Sequence, residues 1–174
     1  GRTKMKVLIV VDMQNDFIDG ALGTKEAQAI IENVYQVIQS FEGEVVFTRD
    51  THFENYADTQ EGKKLPIPHC IKGTNGWQIN SKLKNLIKPE TKIFDKITFG
   101  STELTEYLKN NKELEKVTLA GLCTDICIIS NALLIKANLP EVEIEVLENC
   151  CAGVTPESHI NALNAMKMCQ ISVK

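Results

Sequence analysis

Short runs of aliphatic and β-branched residues alternate along this chain with stretches whose apolar positions recur every three or four residues. Runs of the first kind predict strands over residues 6–11, 44–48, 91–95, 116–120, 143–147 and 170–173. Among the second kind, Ala27, Ile30, Ile31, Val34, Val37, Ile38 and Phe41 share one helical face, which Gly43 can close in a left-handed cap. Shorter helices are predicted over 79–87 and 102–110, and a longer one over 125–137. Thr155-Pro156-Glu157 reads as an N-cap, a first-turn proline and a dipole-matched acid opening a last helix. Strands alternating with helices make βαβ units. The expected fold is therefore α/β, a three-layer α/β/α doubly wound sheet of about six mainly parallel strands in a single domain spanning residues 1–174. Residues 51–77 break the alternation. They are polar, carry Pro and Gly without a period, and form a long excursion of the kind that is usually functional.

Charge narrows the partners. The 174 residues carry a net charge of -4 with both signs interleaved, so no basic stripe exists for nucleic acid or an anionic membrane. The longest apolar run, Val7 to Val11, is too short to span a bilayer, and the expected partner is a small molecule or another protein chain. Six cysteines without the density of a secreted scaffold point to reduced thiols and a cytoplasmic protein. Gly1 to Lys4 precede Met5, which reads as a natural start.

In an open parallel sheet, ligands bind beyond the carboxyl ends of the strands. The residues just past the first four strands are Asp12, then Asp50 and His52, then Lys96, then the segment GLCTDIC with Cys123 and Cys127. Four reactive types at four successive strand ends argue for one site. Cys127 would lie in the first turn of a helix, near Lys96, where a thiolate can be stabilised. A disulfide or simple packing remains open for Cys123 and Cys127, whereas zinc would need a tighter pair with matching ligands elsewhere. Cys70, Cys150, Cys151 and Cys169 read as packing residues, and His159 as structural. Asp12 could accept a thiol proton and return it to a leaving amine. Asp50-x-His52 with His69 in the same loop offers one oxygen and two imidazoles to zinc, iron or manganese, with magnesium a further candidate, and Glu61 could be a fourth ligand.

Together IVVDMQNDF, RDTH with PHC, the lysine of DKITFGS, and above all GLCTDIC resemble the isochorismatase-like cysteine hydrolase family. The resemblance covers nearly the whole chain. It implies a catalytic triad of Asp12, Lys96 and Cys127. A non-proline cis peptide at Leu122–Cys123 is also implied, with the backbone N–H groups of Cys123 and Cys127 forming an oxyanion hole. Within the family, Asp50, His52 and His69 point toward nicotinamidases, whose bound metal, expected to be zinc, receives the pyridine nitrogen. The implied reaction cleaves a small amide to acid and ammonia through a Cys127 thioester, in a homo-oligomer.

Substrate contacts are expected from Phe17 as one aromatic wall, from Leu122, and from Trp77 or Tyr56, with Phe53 a further candidate. Nicotinamidases like this chain commonly place a Trp three residues before the His-Cys pair, where this sequence has Pro66. Two other readings stay open. One is the same machinery acting on a urea-type or N-carbamoyl substrate, and the other is a non-enzymatic thiol protein that senses oxidant or binds a ligand through Cys123 and Cys127.

Overall fold

The computed structural model describes residues 4–174; Gly1, Arg2 and Thr3, which precede the expected start at Met5, lie outside the described residues. In chain order the elements are β1 (Met5–Val11), α1 (Asn15–Ile18), α2 (Lys25–Ala29), α3 (Ile31–Ser40), β2 (Glu44–Asp50), α4 (Gln60–Lys64), α5 (Ser81–Lys84), β3 (Ile93–Lys96), α6 (Thr102–Lys109), β4 (Leu114–Leu122), α7 (Ile129–Asn138), β5 (Glu143–Ala152), α8 (Pro156–Met168) and β6 (Ser172–Val173). The strands form one sheet in the order β3-β2-β1-β4-β5-β6, every neighbouring pair parallel. Chain order runs outward in one direction from β1 and in the other from β4. The switch point lies between them, where a crevice opens beyond the strand ends.

Burial explains the strand sequences. All five residues from Val7 to Val11 are 0% exposed, because helices cover both faces, and a strand buried twice over reads as a continuous apolar run. Val7, Ile9 and Val11 pack with Leu104, Leu108, Ala132, Ile135, Leu163 and Met166 from α6, α7 and α8. Leu8 and Val10 pack with Ile18, Ala27, Val34, Ile38 and Leu83 from α1, α2, α3 and α5. Each such aliphatic side chain contributes roughly 1.5–3 kcal/mol on burial. The three-layer expectation is met.

Several boundaries differ from the pattern-based reading. The stripe from Ala27 to Phe41 is two helices rather than one, because Ile30 turns the chain at φ -90°, ψ -8° between α2 and α3. Gly43 is not a helix cap: Phe41 already leaves α3 in an extended conformation, and a Cβ on Gly43 would lie 2.3 Å from the Lys6 carbonyl oxygen. Its missing side chain lets β2 start close to β1. The helix over 79–87 shrinks to α5, capped by Asn80. Strand β5 runs on to Ala152 and takes buried Cys150 and Cys151 into the sheet, whereas Cys169, expected to pack, is exposed at the end of α8. The α8 start is as read, with Thr155 and Ser158 exchanging hydrogen bonds and Pro156 in the first turn. No helix among the described residues is long and apolar enough to cross a membrane.

Candidate active site

Asp12 follows β1 directly, Lys96 ends β3, and Cys127 lies in a π-helical turn, Thr124–Ile128, between β4 and α7. The switch point brings them into contact. Lys96 Nζ donates to Asp12 Oδ2 at 2.7 Å and reaches Cys127 Sγ at 3.4 Å, with a third bond to the Thr98 carbonyl at 3.1 Å. Thr48 Oγ1 donates to the other Asp12 oxygen at 2.7 Å. Local backbone makes this possible. Asp12 adopts φ +50°, a left-handed geometry that Asp tolerates better than most residues. Gly121 sits at φ +125°, opposite Val11, where a Cβ would lie 2.2 Å from the Val11 carbonyl oxygen. Only glycine lets β4 pass so near the end of β1. The Leu122–Cys123 peptide that follows is cis.

All three side chains are almost fully buried, and this governs their protonation. Burial pushes the Asp12 carboxyl above its usual range, with Lys96 opposing. Burial and the Asp12 charge likewise push the Cys127 thiol well up, again against Lys96. Burial alone would lower Lys96, but the charges of Asp12, Cys127 and Asp50 hold it up, so it stays an ammonium. Asp12 and Cys127 thus each hold a proton more firmly than usual, and each touches the fixed positive charge of Lys96. Such a pair can deprotonate its thiol at the moment an electrophile arrives.

A second cluster stands beside the first. One ligand atom from each of Asp50, His52, Glu61 and His69 lies within 4.8 Å of the others. His52 Nε2 is 2.9 Å from Asp50 Oδ2 and 3.2 Å from Glu61 Oε2, and His69 Nε2 is 3.4 and 3.5 Å from the same two atoms. Ligands about 2.0–2.2 Å from a tetrahedral zinc lie about 3.4 Å apart, so these spacings suit a small divalent ion. Chemistry agrees with spacing. Asp50 turns Oδ2 into the cluster, while Oδ1, buried without a hydrogen-bond partner, faces Lys96 Nζ at 3.9 Å. Burial would lower His52, yet its bonds to Asp50 and Glu61 push it up to about 9, so the two carboxylates call for positive charge at this point. His69 Nδ1–H donates to the Ile67 carbonyl at 2.8 Å, which aims Nε2 into the cluster. The group can hold a divalent metal.

The two clusters share a cavity of about 60 Å³ that Cys123, Cys127, Asp50, Glu61 and His69 line, walled by Phe17, Leu22, Leu65, Phe99 and Ile126. Asp12 and Lys96 stand behind Cys127, outside the lining. Phe17 lines this cavity, its ring centroid 5.5 Å from that of His69. The side chains of Trp77 and Leu122 are not among the lining. Trp77 turns away from the cavity: Nε1–H donates to Thr51 Oγ1 at 2.9 Å while the Arg49 guanidinium covers its ring at 3.9 Å. Leu122 is 1% exposed and packs in the apolar layer under α1 to α3. Tyr56 sits edge-on to both histidines, its hydroxyl donating to the Leu65 carbonyl at 2.7 Å, so it braces the cluster. Cys123, expected to serve the hydrolase through its backbone, also lines the cavity. His159 is structural, its Nδ1 2.6 Å from Thr124 Oγ1.

Sequence reasoning missed two buried amides. The side chain of Gln14 donates to the carbonyls of Asp50 (2.8 Å) and Trp77 (2.9 Å) and accepts from the Asp50 N–H at 2.7 Å, pinning the end of β2. Asn131 donates to the carbonyls of Cys127 (2.8 Å) and Phe99 (3.1 Å) and accepts from the Ser101 N–H, tying the π-helical turn to the loop after β3. A glutamine two residues past Asp12 was the only available signal for the first.

A doubly wound sheet with thiol, ammonium and carboxylate in contact at its switch point defines the class of cysteine hydrolases. The isochorismatase domain family matches residues 6–173, and the chain belongs to that family. It is 32% identical to an isochorismatase family protein, PncA, of Bacillus subtilis, over 91% of this chain and 92% of the relative. Among solved structures, the nicotinamidase/pyrazinamidase PncA of Bacillus subtilis superposes with a TM-score of 0.85 at 28% identity, covering 97% of this chain and 98% of that one. The pyrazinamidase of Pyrococcus horikoshii in complex with zinc gives a TM-score of 0.82 at 29% identity, with the same coverage.

Proposed function

We propose that this protein hydrolyses nicotinamide to nicotinate and ammonia. The observation that carries the reading is the contact of Asp12, Lys96 and Cys127 at one cavity with a cluster suited to a divalent ion. The kinship with nicotinamidase/pyrazinamidase structures supports the choice of amide.

In this mechanism Asp12 takes the Cys127 proton as sulfur attacks the amide carbon, and Lys96 steadies the charge on both partners. The backbone N–H groups of Cys123 and Cys127 would donate to the developing oxyanion. Asp12 then returns the proton to the departing nitrogen, ammonia leaves, and a thioester remains on Cys127. Water, deprotonated by Asp12, attacks the thioester carbonyl; nicotinate leaves and the thiol reforms. Asp50, His52, Glu61 and His69 would hold the divalent ion, zinc by donor type. Bound there, the ion would supply a Lewis acid that anchors the ring nitrogen. Phe17 would lie against the ring. Nicotinate would feed reactions that rebuild pyridine nucleotides, and a cytoplasmic homo-oligomer is part of the same proposal.

The thiol-sensor reading is disfavoured. Oxidant-sensing cysteines are accessible and acidic, whereas Cys127 is 5% exposed and burial pushes Cys123 up to about 12. A urea-type substrate would leave the metal cluster without a task. Ammonia release from nicotinamide, pyrazinamide and N-carbamoyl compounds by the purified protein tests the choice. Nicotinamide turnover is expected, and turnover of the carbamoyl compounds alone would overturn it.

A further inference from the structure

Beyond the catalytic cavity lies a larger groove of about 630 Å³, and the two share Glu61, Leu65, Phe99 and Ile126 as wall residues. Apolar side chains stand in water along it: Ile97 is 73% exposed, Phe53 49%, Phe99 41% and Leu65 38%. A cluster of that kind beside a reacting site marks a place where something apolar binds. The groove also touches the machinery. His52 and Glu61 of the metal cluster are in its wall, as is Thr98, whose carbonyl accepts from Lys96. An occupant would meet the same groups that position substrate, which favours a piece of the substrate over a protein partner. The groove's volume, about ten times that of the cavity holding the reacting groups, is that of a site for a drug-sized molecule rather than for a bare ring.

We propose that the groove is a subsite for an uncharged apolar substituent, so that the preferred substrates are aromatic carboxamides bearing an alkyl or aryl group. The substituent would project from the ring carbon farthest from both anchors, position 5 of a nicotinamide. An ionised substituent fits poorly, since Phe53, Leu65, Ile97, Phe99 and Ile126 of the wall are apolar and its chargeable side chains, Glu61 against Lys64 and His52, are of mixed sign. The inference rests on the hydrolase reading above.

The test compares kcat/KM for nicotinamide, 5-propylnicotinamide, 5-phenylnicotinamide and 5-carboxynicotinamide in the native protein and in Ile97→Ser and Phe53→Ser, with gel filtration of each. The native protein should favour the phenyl and propyl compounds over nicotinamide by about tenfold, the scale on which apolar pockets discriminate, and should disfavour the carboxylate. Each variant should shrink that preference several-fold. Normal nicotinamide turnover with no gain from the apolar substituents would overturn the subsite while leaving the hydrolase reading intact. Variants that change the oligomeric state and leave the preference untouched would make the groove an interface between copies and equally overturn it. If none of these amides releases ammonia, the hydrolase reading fails and the subsite with it.

Discussion

Replacing Lys96 by methionine keeps the unbranched stem, out to the ε position, of a side chain that is 4% exposed and removes its terminal ammonium with the charge and donors. Three anionic or potentially anionic groups then lose their cation: Asp12 at 2.7 Å, Cys127 at 3.4 Å and Asp50 at 3.9 Å. At an effective dielectric of about 20, unit charges about 4 Å apart interact by about 4 kcal/mol. If the attacking thiolate loses that much stabilisation, and each ~1.36 kcal/mol is a factor of ten in rate, kcat should fall about 10³-fold. Stability falls too, because breaking a buried ion pair on one side costs about 3–5 kcal/mol. Two assays separate the effects. Ammonia release from nicotinamide reads the rate, and iodoacetamide alkylation of Cys127 reads the thiolate. Pairing Lys96→Met with Asp12→Asn removes both charges, so the double variant should melt higher than the single one while staying inactive. Activity within tenfold of native in Lys96→Met, or a double variant no more stable than the single, would refute the electrostatic role given to Lys96.

Other consequences can be checked as directly. Gln14→Leu should lower the affinity for a divalent ion about 10–100-fold, the usual effect of losing support behind a ligand, read by metal content after dialysis against a chelator, while alkylation of Cys127 proceeds at the native rate. Trp77→Phe removes the bond to Thr51 and should cost about 1 kcal/mol in thermal unfolding; because the ring faces Arg49 and not the cavity, KM for nicotinamide should hold. His159 is lowered by burial, with Glu148 and Asp125 opposing, so the unfolded chain binds its proton more tightly than the folded one. The stability linked to it is present above about pH 6.5 and lost as pH falls through the folded value. Melting temperature should therefore drop more steeply between pH 7.5 and 5 in the native protein than in His159→Gln, and parallel curves would rule the linkage out.

The sequence disclosed what depends on residue type at strand ends, because an open parallel sheet sends those positions to one crevice. Asp12, Asp50, Lys96 and the Cys127 segment were legible for that reason. What it concealed depends on where a side chain turns once the backbone is set. Trp77, an aromatic residue in a polar loop, looked like a pocket wall, but its indole N–H found Thr51 and its ring found Arg49. Leu122 precedes the cis peptide, yet strand alternation sends its side chain into the helical layer. The π-helical turn at Thr124–Ile128 has no periodic signature and was read as ordinary helix. Gln14 and Asn131 escaped because neutral amides announce no chemistry by type, and only their partners, Asp50 and Cys127, give them meaning.

The central claim is that Cys127 becomes covalently attached to the substrate. Acid quench during steady-state turnover of nicotinamide, followed by peptide mass spectrometry, addresses it most directly. The account predicts a nicotinoyl thioester on the peptide that carries Cys127, absent from Cys127→Ser and sparing Cys123. An adduct on a different cysteine, or undiminished ammonia release by Cys127→Ser, would contradict it.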